Sequence, residues 1–206
     1  FCLTPAWATP VPLVTDSICF SGPIDSDPTI DSTLLDALID YTFDPSTNRL
    51  TMVIYNNTAS PNAYTLSELL FNVGTDVTGM SIFDDGVLSN TSLNTGVQQG
   101  GMGTFDFDFD GGQGNNGIGA GSSATVLFSV TGSNLDTGDF FNGLSTAPGD
   151  GNGHFIASIH FTRGPNDSSD WVTPCTNVVP EPATMSLLGI ALAGIVVRHA
   201  RKRKSA

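Results

Sequence analysis

Two apolar runs flank a short polar run in the first third of the chain. They are Ala37-Leu38-Ile39-Asp40-Tyr41-Thr42-Phe43, then Asp44-Pro45-Ser46-Thr47-Asn48, and then Leu50-Thr51-Met52-Val53-Ile54-Tyr55. The two outer runs are rich in the aliphatic, β-branched and aromatic residues of strands, and the middle run is made of turn residues. Pro45 presets its φ for a turn, and Asn48 tolerates the left-handed conformation. The pattern predicts a β-hairpin.

Similar runs recur along residues 9–179, separated by Gly, Asn, Asp and Pro, with almost no helical period. They predict strands at 14–20, 66–73, 80–83, 104–110, 124–131 and 154–162, and Phe140-Phe141 as the start of a short edge strand. Asp31–Leu38 alone could begin as a helical turn. This spacing is typical of an all-β fold, an antiparallel β-sandwich of jelly-roll or immunoglobulin-like type.

The charge of the chain is strongly negative. Of its 206 residues, 20 are Asp or Glu and seven are Lys or Arg, and the formal charge is -13. Residues 9–179 hold 19 of the acids but only Arg49 and Arg163 as bases, a local charge of -17. A body of this charge repels phosphate backbones, which excludes nucleic acid as a main partner.

Near the end of the sequence, an uncharged apolar run, Ala183–Val197, precedes a basic cluster. As a helix it would be about 22 Å long, shorter than the roughly 30 Å hydrocarbon core, but snorkelling and bilayer thinning absorb the difference. We expect a transmembrane helix, and a buried helix of the domain is the alternative. The anchor residues are Ala183, Leu187, Leu188, Ile190, Leu192, Ile195 and Val197, and the basic cluster, expected on the cytoplasmic side, is Arg198, Arg201, Lys202, Arg203 and Lys204.

The tripeptide Pro180-Glu181-Pro182 stands directly before this run. Tripeptide, apolar helix and basic end, in this order, resemble the PEP-CTERM sorting signal of exported bacterial proteins. The resemblance covers residues 178–206 and implies that an exosortase, a membrane-embedded protease or transpeptidase, recognises Pro180, Glu181 and Pro182 and removes the tail. It also implies an envelope or extracellular-matrix setting, often linked to exopolysaccharide. Two prolines keep the tripeptide extended, as a processing enzyme requires.

The N-terminal residues carry a processing pattern of their own. Ala6 and Ala8 fit the small-residue rule of signal-peptide cleavage, so we expect residues 1–8 to be the end of a signal peptide. An ordinary coil is the alternative. The expected organisation is therefore a signal-peptide remnant at 1–8, an extracytoplasmic β-sandwich at 9–177, and a sorting signal at 178–206 composed of motif 180–182, helix 183–197 and basic tail 198–206.

Cysteine usage is consistent with export. Loss of the signal remnant discards Cys2 and leaves Cys19 and Cys175, one near each end of the domain. An even pair in an oxidising compartment suggests one disulfide that ties the two ends together. Two buried free thiols are the alternative.

The run Thr104-Phe105-Asp106-Phe107-Asp108-Phe109-Asp110 alternates strictly, which predicts three phenylalanines on one face of a strand and three aspartates on the other. Asp106, Asp108 and Asp110, followed by Gly111, also resemble the start of a calcium loop. Calcium is the one metal that this run suggests. However, Gly117 stands where an EF-hand needs an acid, and side chains on one face of a strand diverge from a single ion. No other cofactor is expected.

Other chemical motifs are weak. A literal G-x-G-x-x-G at Gly112, Gly114 and Gly117 is followed by a strand pattern and lacks the helix of a dinucleotide site. His154 and His160 lie too far apart on one predicted strand to share a metal. No nucleophile elbow is present, and Glu68 is the only glutamate of the body. We therefore expect no enzymatic activity.

The aromatic residues leave one alternative open. Trp171 and the tyrosines Tyr41, Tyr55 and Tyr64 are able to stack on sugar rings, although such residues more often complete a core. The sequence predicts an exported surface or matrix protein that displays an acidic β-sandwich with a structural or interaction role. Its expected partners are an exosortase and the membrane, and the alternative is a carbohydrate-binding module associated with exopolysaccharide.

Overall fold

The structure is a computed structural model that describes residues 13–23, 35–59, 64–99, 101–111, 116–146 and 155–175. The chain divides into two units, Phe1–Cys175 and Thr176–Ala206, and every described residue belongs to the first. The expected signal remnant, His154 and the sorting signal at 178–206 all lie outside the described residues.

The first unit is all-β. Its described residues form ten strands: β1 Thr15–Pro23, β2 Asp36–Asp44, β3 Arg49–Asn56, β4 Thr65–Phe71, β5 Val77–Asp84, β6 Ser92–Gln99, β7 Gly103–Asp110, β8 Ser123–Gly132, β9 Ala157–Thr162 and β10 Asp170–Pro174. Two short 3-10 helices, Thr137–Asp139 and Pro165–Asp167, lie in the connections.

The predicted hairpin is confirmed. β2 and β3 pair antiparallel from Ala37↔Asn56 to Asp44↔Arg49, and Asn48 adopts a left-handed φ of 52° in the turn. The carboxylate of Asp44 accepts hydrogen bonds from the amide and hydroxyl of Ser46 and from the hydroxyl of Thr47. These bonds, those from Ser46 above all, hold the pKa of Asp44 below its ordinary value.

All ten strands belong to one antiparallel sheet, in the order β5-β8-β3-β2-β1-β10-β9-β4-β7-β6. The sheet nearly closes on itself, since the Cα atoms of β5 and β6, at its two ends, approach within 8 Å. This differs from the predicted sandwich of two sheets. β10 pairs with both β1 and β9 and joins the two halves by hydrogen bonds. Alternating apolar residues face inward in either architecture, so the pattern alone does not distinguish them.

The core lies inside the curved sheet. β2 and β3 alternate between buried and half-buried residues along their length, as one-faced burial requires. The largest fully buried side chains include eight phenylalanines: Phe20, Phe43, Phe71, Phe105, Phe109, Phe128, Phe140 and Phe161. Each stabilises the fold by about 2 kcal/mol through burial. A second, smaller cluster consists of Leu70, Met102 and Phe105, with Val97, Phe155 and Trp171 packed against it.

Two strands and two details differ from the sequence prediction. β6 and β10 were not predicted. Phe140 forms a single bridge to Val73 and does not start an edge strand. Asp36–Leu38 lie in β2 and Leu35 precedes that strand, so the described part of the suggested helical turn is not helical, while residues 31–34 are outside the described ranges.

The two ends of the described domain lie side by side. Cys19 on β1 and Cys175, the residue after β10, are joined in a disulfide with their Cα atoms 5.5 Å apart. The Cys175 amide also donates a hydrogen bond of 2.9 Å to the Cys19 carbonyl oxygen. The domain is therefore closed covalently immediately before residue 176.

Candidate functional site

The three aspartates of β7 do not converge. Asp106 is exposed and accepts a hydrogen bond from the Val73 amide at 3.0 Å, whereas Asp108 is buried and accepts one from the Asn94 amide group at 3.2 Å. Among the described residues, no group of three His, Cys, Asp or Glu side chains is arranged to hold a metal ion. Asp106 and Asp108 therefore have different partners and surroundings.

The predicted alternation of β7 also needs correction at one end. Phe107 and Phe109 face the main core, but Phe105 belongs to the smaller cluster with Leu70 and Met102. Next to it, the backbone amide of Asp106 donates to the side-chain oxygen of Asn72 at 3.0 Å, so that a side chain takes the place of a strand partner.

A polar row crosses five strands on the face opposite the main core. Residues directly opposite each other on neighbouring strands share a face. The pairs Trp171↔His160, His160↔Glu68, Glu68↔Asp110 and Asp110↔Ser92 therefore form one continuous row across β10, β9, β4, β7 and β6. Their strand neighbours Val172, Ile159, Leu69 and Phe109 point into the main core.

Glu68 is the centre of this row. Its Oε2 lies 3.3 Å from Nδ1 of His160, and its Oε1 accepts a hydrogen bond of 3.5 Å from the side-chain amide of Gln99. His160 in turn stacks on Trp171, with ring centroids 4.4 Å apart and ring planes 4° apart. A carboxylate and two stacked rings are thus held on one outer face by the pairing of three strands.

Asp108 lies beside this row, on the neighbouring position of β7. Burial, and then the negative charge of Glu68, raise the pKa of Asp108 to about 6, while the hydrogen bond from Asn94 acts in the opposite direction. At mildly acidic pH the Asp108 carboxyl group holds a proton that an ordinary aspartate has lost. No short stretch of sequence indicates the contact between Glu68 and Asp108, since the two residues come together only through the pairing of β4 with β7.

The tyrosines considered for sugar stacking are mostly core residues. Tyr41 and Tyr64 are 6% and 4% exposed, and the Tyr64 hydroxyl hydrogen-bonds that of Ser168 at 2.9 Å. Burial raises the pKa of Tyr41, and the nearby Asp16 raises it further. Tyr55 is half-buried on β3 and Trp171 on β10. Of these four rings, only Trp171 lies in the polar row.

The remaining predicted site residues belong to the C-terminal tail. Residues 178–203 match the family model described as the PEP-CTERM protein-sorting motif. The tail carries a PEP-CTERM motif. This confirms the resemblance, and the PEP-CTERM motif marks the chain as an exosortase-targeted protein of the cell surface or exterior, exported and held at the membrane before processing. No curated protein and no solved structure matches the chain significantly.

Among the residues that the structure describes, no helix has the length and apolar character needed to cross a membrane. The predicted anchor at 183–197 lies outside them.

Proposed function

We propose that this protein is a non-enzymatic component of the bacterial surface or extracellular matrix, in which an exosortase removes the tail and leaves the acidic β-domain outside the cell. The observation that carries the proposal is the PEP-CTERM match at residues 178–203. An export signal that ends at Ala8 delivers the chain, and the helix at 183–197 holds it in the membrane until Pro180-Glu181-Pro182 is recognised.

The charge distribution supports this orientation. Five of the seven basic residues lie between Arg198 and Lys204, and cationic flanks remain on the cytoplasmic side of a membrane helix. The acidic domain then faces outward. Its disulfide persists in an oxidising exterior, where a domain released from its anchor must keep its fold unaided.

The test replaces Pro180, Glu181 and Pro182 by alanine in a host that expresses the exosortase. We expect a full-length, membrane-retained product, whereas the wild type is shortened. The matched control replaces Thr176 and Asn177, which lie just before the motif, by alanine, and should be processed normally. Unchanged processing of the triple variant would contradict the proposal.

A second candidate function is binding of exopolysaccharide, which the stacked Trp171 and His160 beside the Glu68 carboxylate favour. Aromatic faces next to carboxylate acceptors suit the apolar faces and hydroxyl groups of sugars. Affinity electrophoresis in gels containing the host exopolysaccharide tests it. Trp171→Leu should abolish the retardation and Trp171→Phe should keep part of it, while unretarded wild-type protein would exclude this function.

A further inference from the structure

We propose that the edge of β5 that faces the seam between β5 and β6 binds an extended, positively charged peptide segment of a partner protein, which pairs with that edge where the seam opens into a cleft. The two strands stand at the ends of the strand order, so each pairs with one neighbour among the described strands, β8 for β5 and β7 for β6. Each therefore presents one backbone edge toward the seam. An extended peptide satisfies such an edge by β-augmentation.

A cleft of about 530 Å³ opens at this seam. Thr78 and Gly79 of β5 form one wall, and Thr95 of β6 with Asp106 and Phe107 of β7 form the other. Most of these side chains are small, so a second backbone can approach the strands closely. Beside the cleft lies the regular stretch Gly79–Ile82 of β5, which pairs with Thr131–Phe128 of β8 without a shift.

The two edges carry few of the features with which natural sheets protect theirs. β5 carries no charged residue before Asp84, β6 carries none, and neither contains proline. Exposed edges are normally blocked by lysine, proline or inward charges. Irregular pairing with β8 flanks Gly79–Ile82 on both sides, so this regular stretch is the part of β5 that is available for pairing.

The charge around the cleft selects the partner. The exposed carboxylate of Asp106 lies in the wall of the cleft. Asp76 lies in the chain between the lining residues Thr75 and Val77. Asp139 is close to the lining residue Gly74, since its Oδ1 would lie 2.9 Å from a Cβ built on that glycine. Within the described ranges, no Lys, Arg or His side chain lines the cleft. A second copy of a domain with a charge of -17 is repelled, whereas Lys or Arg side chains of an extended peptide would pair with these carboxylates.

The inference extends the proposed function, because it names where the displayed domain binds a partner and what the partner's chemistry is. Binding is measured on the purified full chain in detergent, so it does not depend on exosortase processing. Failure of binding and failure of processing are thereby distinguishable.

The probe is a fluorescein-labelled peptide of alternating lysine and valine, followed by fluorescence anisotropy at low salt. We expect saturable binding that weakens about tenfold in Thr78→Trp, which fills the cleft, and about threefold in Asp106→Asn. The matched controls Thr125→Trp, exposed on β8, and Asp36→Asn, exposed on β2, should bind as the wild type does.

Two further peptides separate strand addition from charge alone. Replacing each valine by proline keeps the charge but removes backbone donors, and should weaken binding at least about tenfold. Replacing lysine by glutamate should abolish it. The proposal is overturned if the proline peptide binds as tightly as the valine peptide, or if Thr78→Trp and Thr125→Trp weaken binding equally. It is also overturned if the lysine–valine peptide does not bind, or if sedimentation experiments show that a second copy of the protein occupies the cleft.

Discussion

Cys19 and Cys175 join the first described strand to the residue that follows the last one, so the two ends of the described domain are linked covalently immediately before residue 176. β1 and β10 are neighbours in the sheet, and the bond reinforces their pairing. The linkage separates the domain from the segment on which the exosortase acts. Removal of residues 178–206 would therefore leave every described strand intact.

The disulfide should contribute strongly to stability. It closes a loop with a sequence separation of 156 residues, and in the chain-entropy model such a loop is worth about 4 to 5 kcal/mol. Cys19→Ser combined with Cys175→Ser should lower the free energy of unfolding by about 3 kcal/mol or more, measured by urea denaturation under oxidising conditions. Reduction of the wild type should reproduce the loss. A change below about 1 kcal/mol would argue against this role.

Gly103 and Gly96 both have positive φ, but only Gly103 has close neighbours at its Cβ position, so the two test how much a close backbone contact costs. Gly103 has φ +91°, and a Cβ there would overlap the carbonyl oxygen of Thr146, whereas Gly96 has φ +63° and no heavy atom within 4 Å of its Cβ position. Gly103→Ala should destabilise the fold by about 3 kcal/mol or more, and Gly96→Ala by about 1 kcal/mol. Thermal denaturation checks both. Equal losses would show that the approach of Thr146 does not constrain residue 103.

The buried carboxyl group of Asp108 should make stability depend on pH. Its pKa of about 6 in the folded state exceeds that of an ordinary aspartate, so the unfolded state loses its proton first as the pH rises above about 4. The contribution of Asp108 therefore lowers the free energy of unfolding between about pH 4 and pH 6, and the loss stays constant above that.

Asp108→Asn removes this titration. From pH 4 to pH 7, the free energy of unfolding of the variant should rise by about 2 kcal/mol relative to that of the wild type. Urea denaturation at several pH values across that range measures this change. Asp36→Asn, at an exposed position, serves as control and should follow the wild type. A pH profile of Asp108→Asn that is parallel to the wild type would contradict the raised pKa of Asp108.

Local signals predicted most of the strands but not their arrangement. Turn chemistry at Pro45 and Asn48 located the central hairpin, because it acts between residues close in sequence. β6 has few apolar residues and β10 is only five residues long, so neither produced a clear alternating pattern. The contacts among Glu68, Asp108 and His160 depend on strand pairing between distant segments, which no short window contains.

Arg49 and Phe83 form a surface contact that a double-mutant cycle tests. The Arg49 guanidinium lies 3.5 Å from the centroid of the Phe83 ring, which is 58% exposed, and also hydrogen-bonds Ser129. A double-mutant cycle with Arg49→Met and Phe83→Leu should give a coupling energy of about 0.5 to 1 kcal/mol. The same cycle with Arg163→Met replacing Arg49→Met should give none. Coupling of equal size in both cycles would exclude a specific contact.

The central claim is that an exosortase processes this chain at its PEP-CTERM motif and releases the β-domain outside the cell. The most direct measurement is the intact mass of the protein recovered from the cell exterior of a host with a functional exosortase, compared with a strain that lacks the enzyme. We expect a species that ends at or before the motif in the first strain, and a full-length, membrane-bound chain in the second. An exterior protein that retains residues 183–206 in the presence of the enzyme would contradict the account.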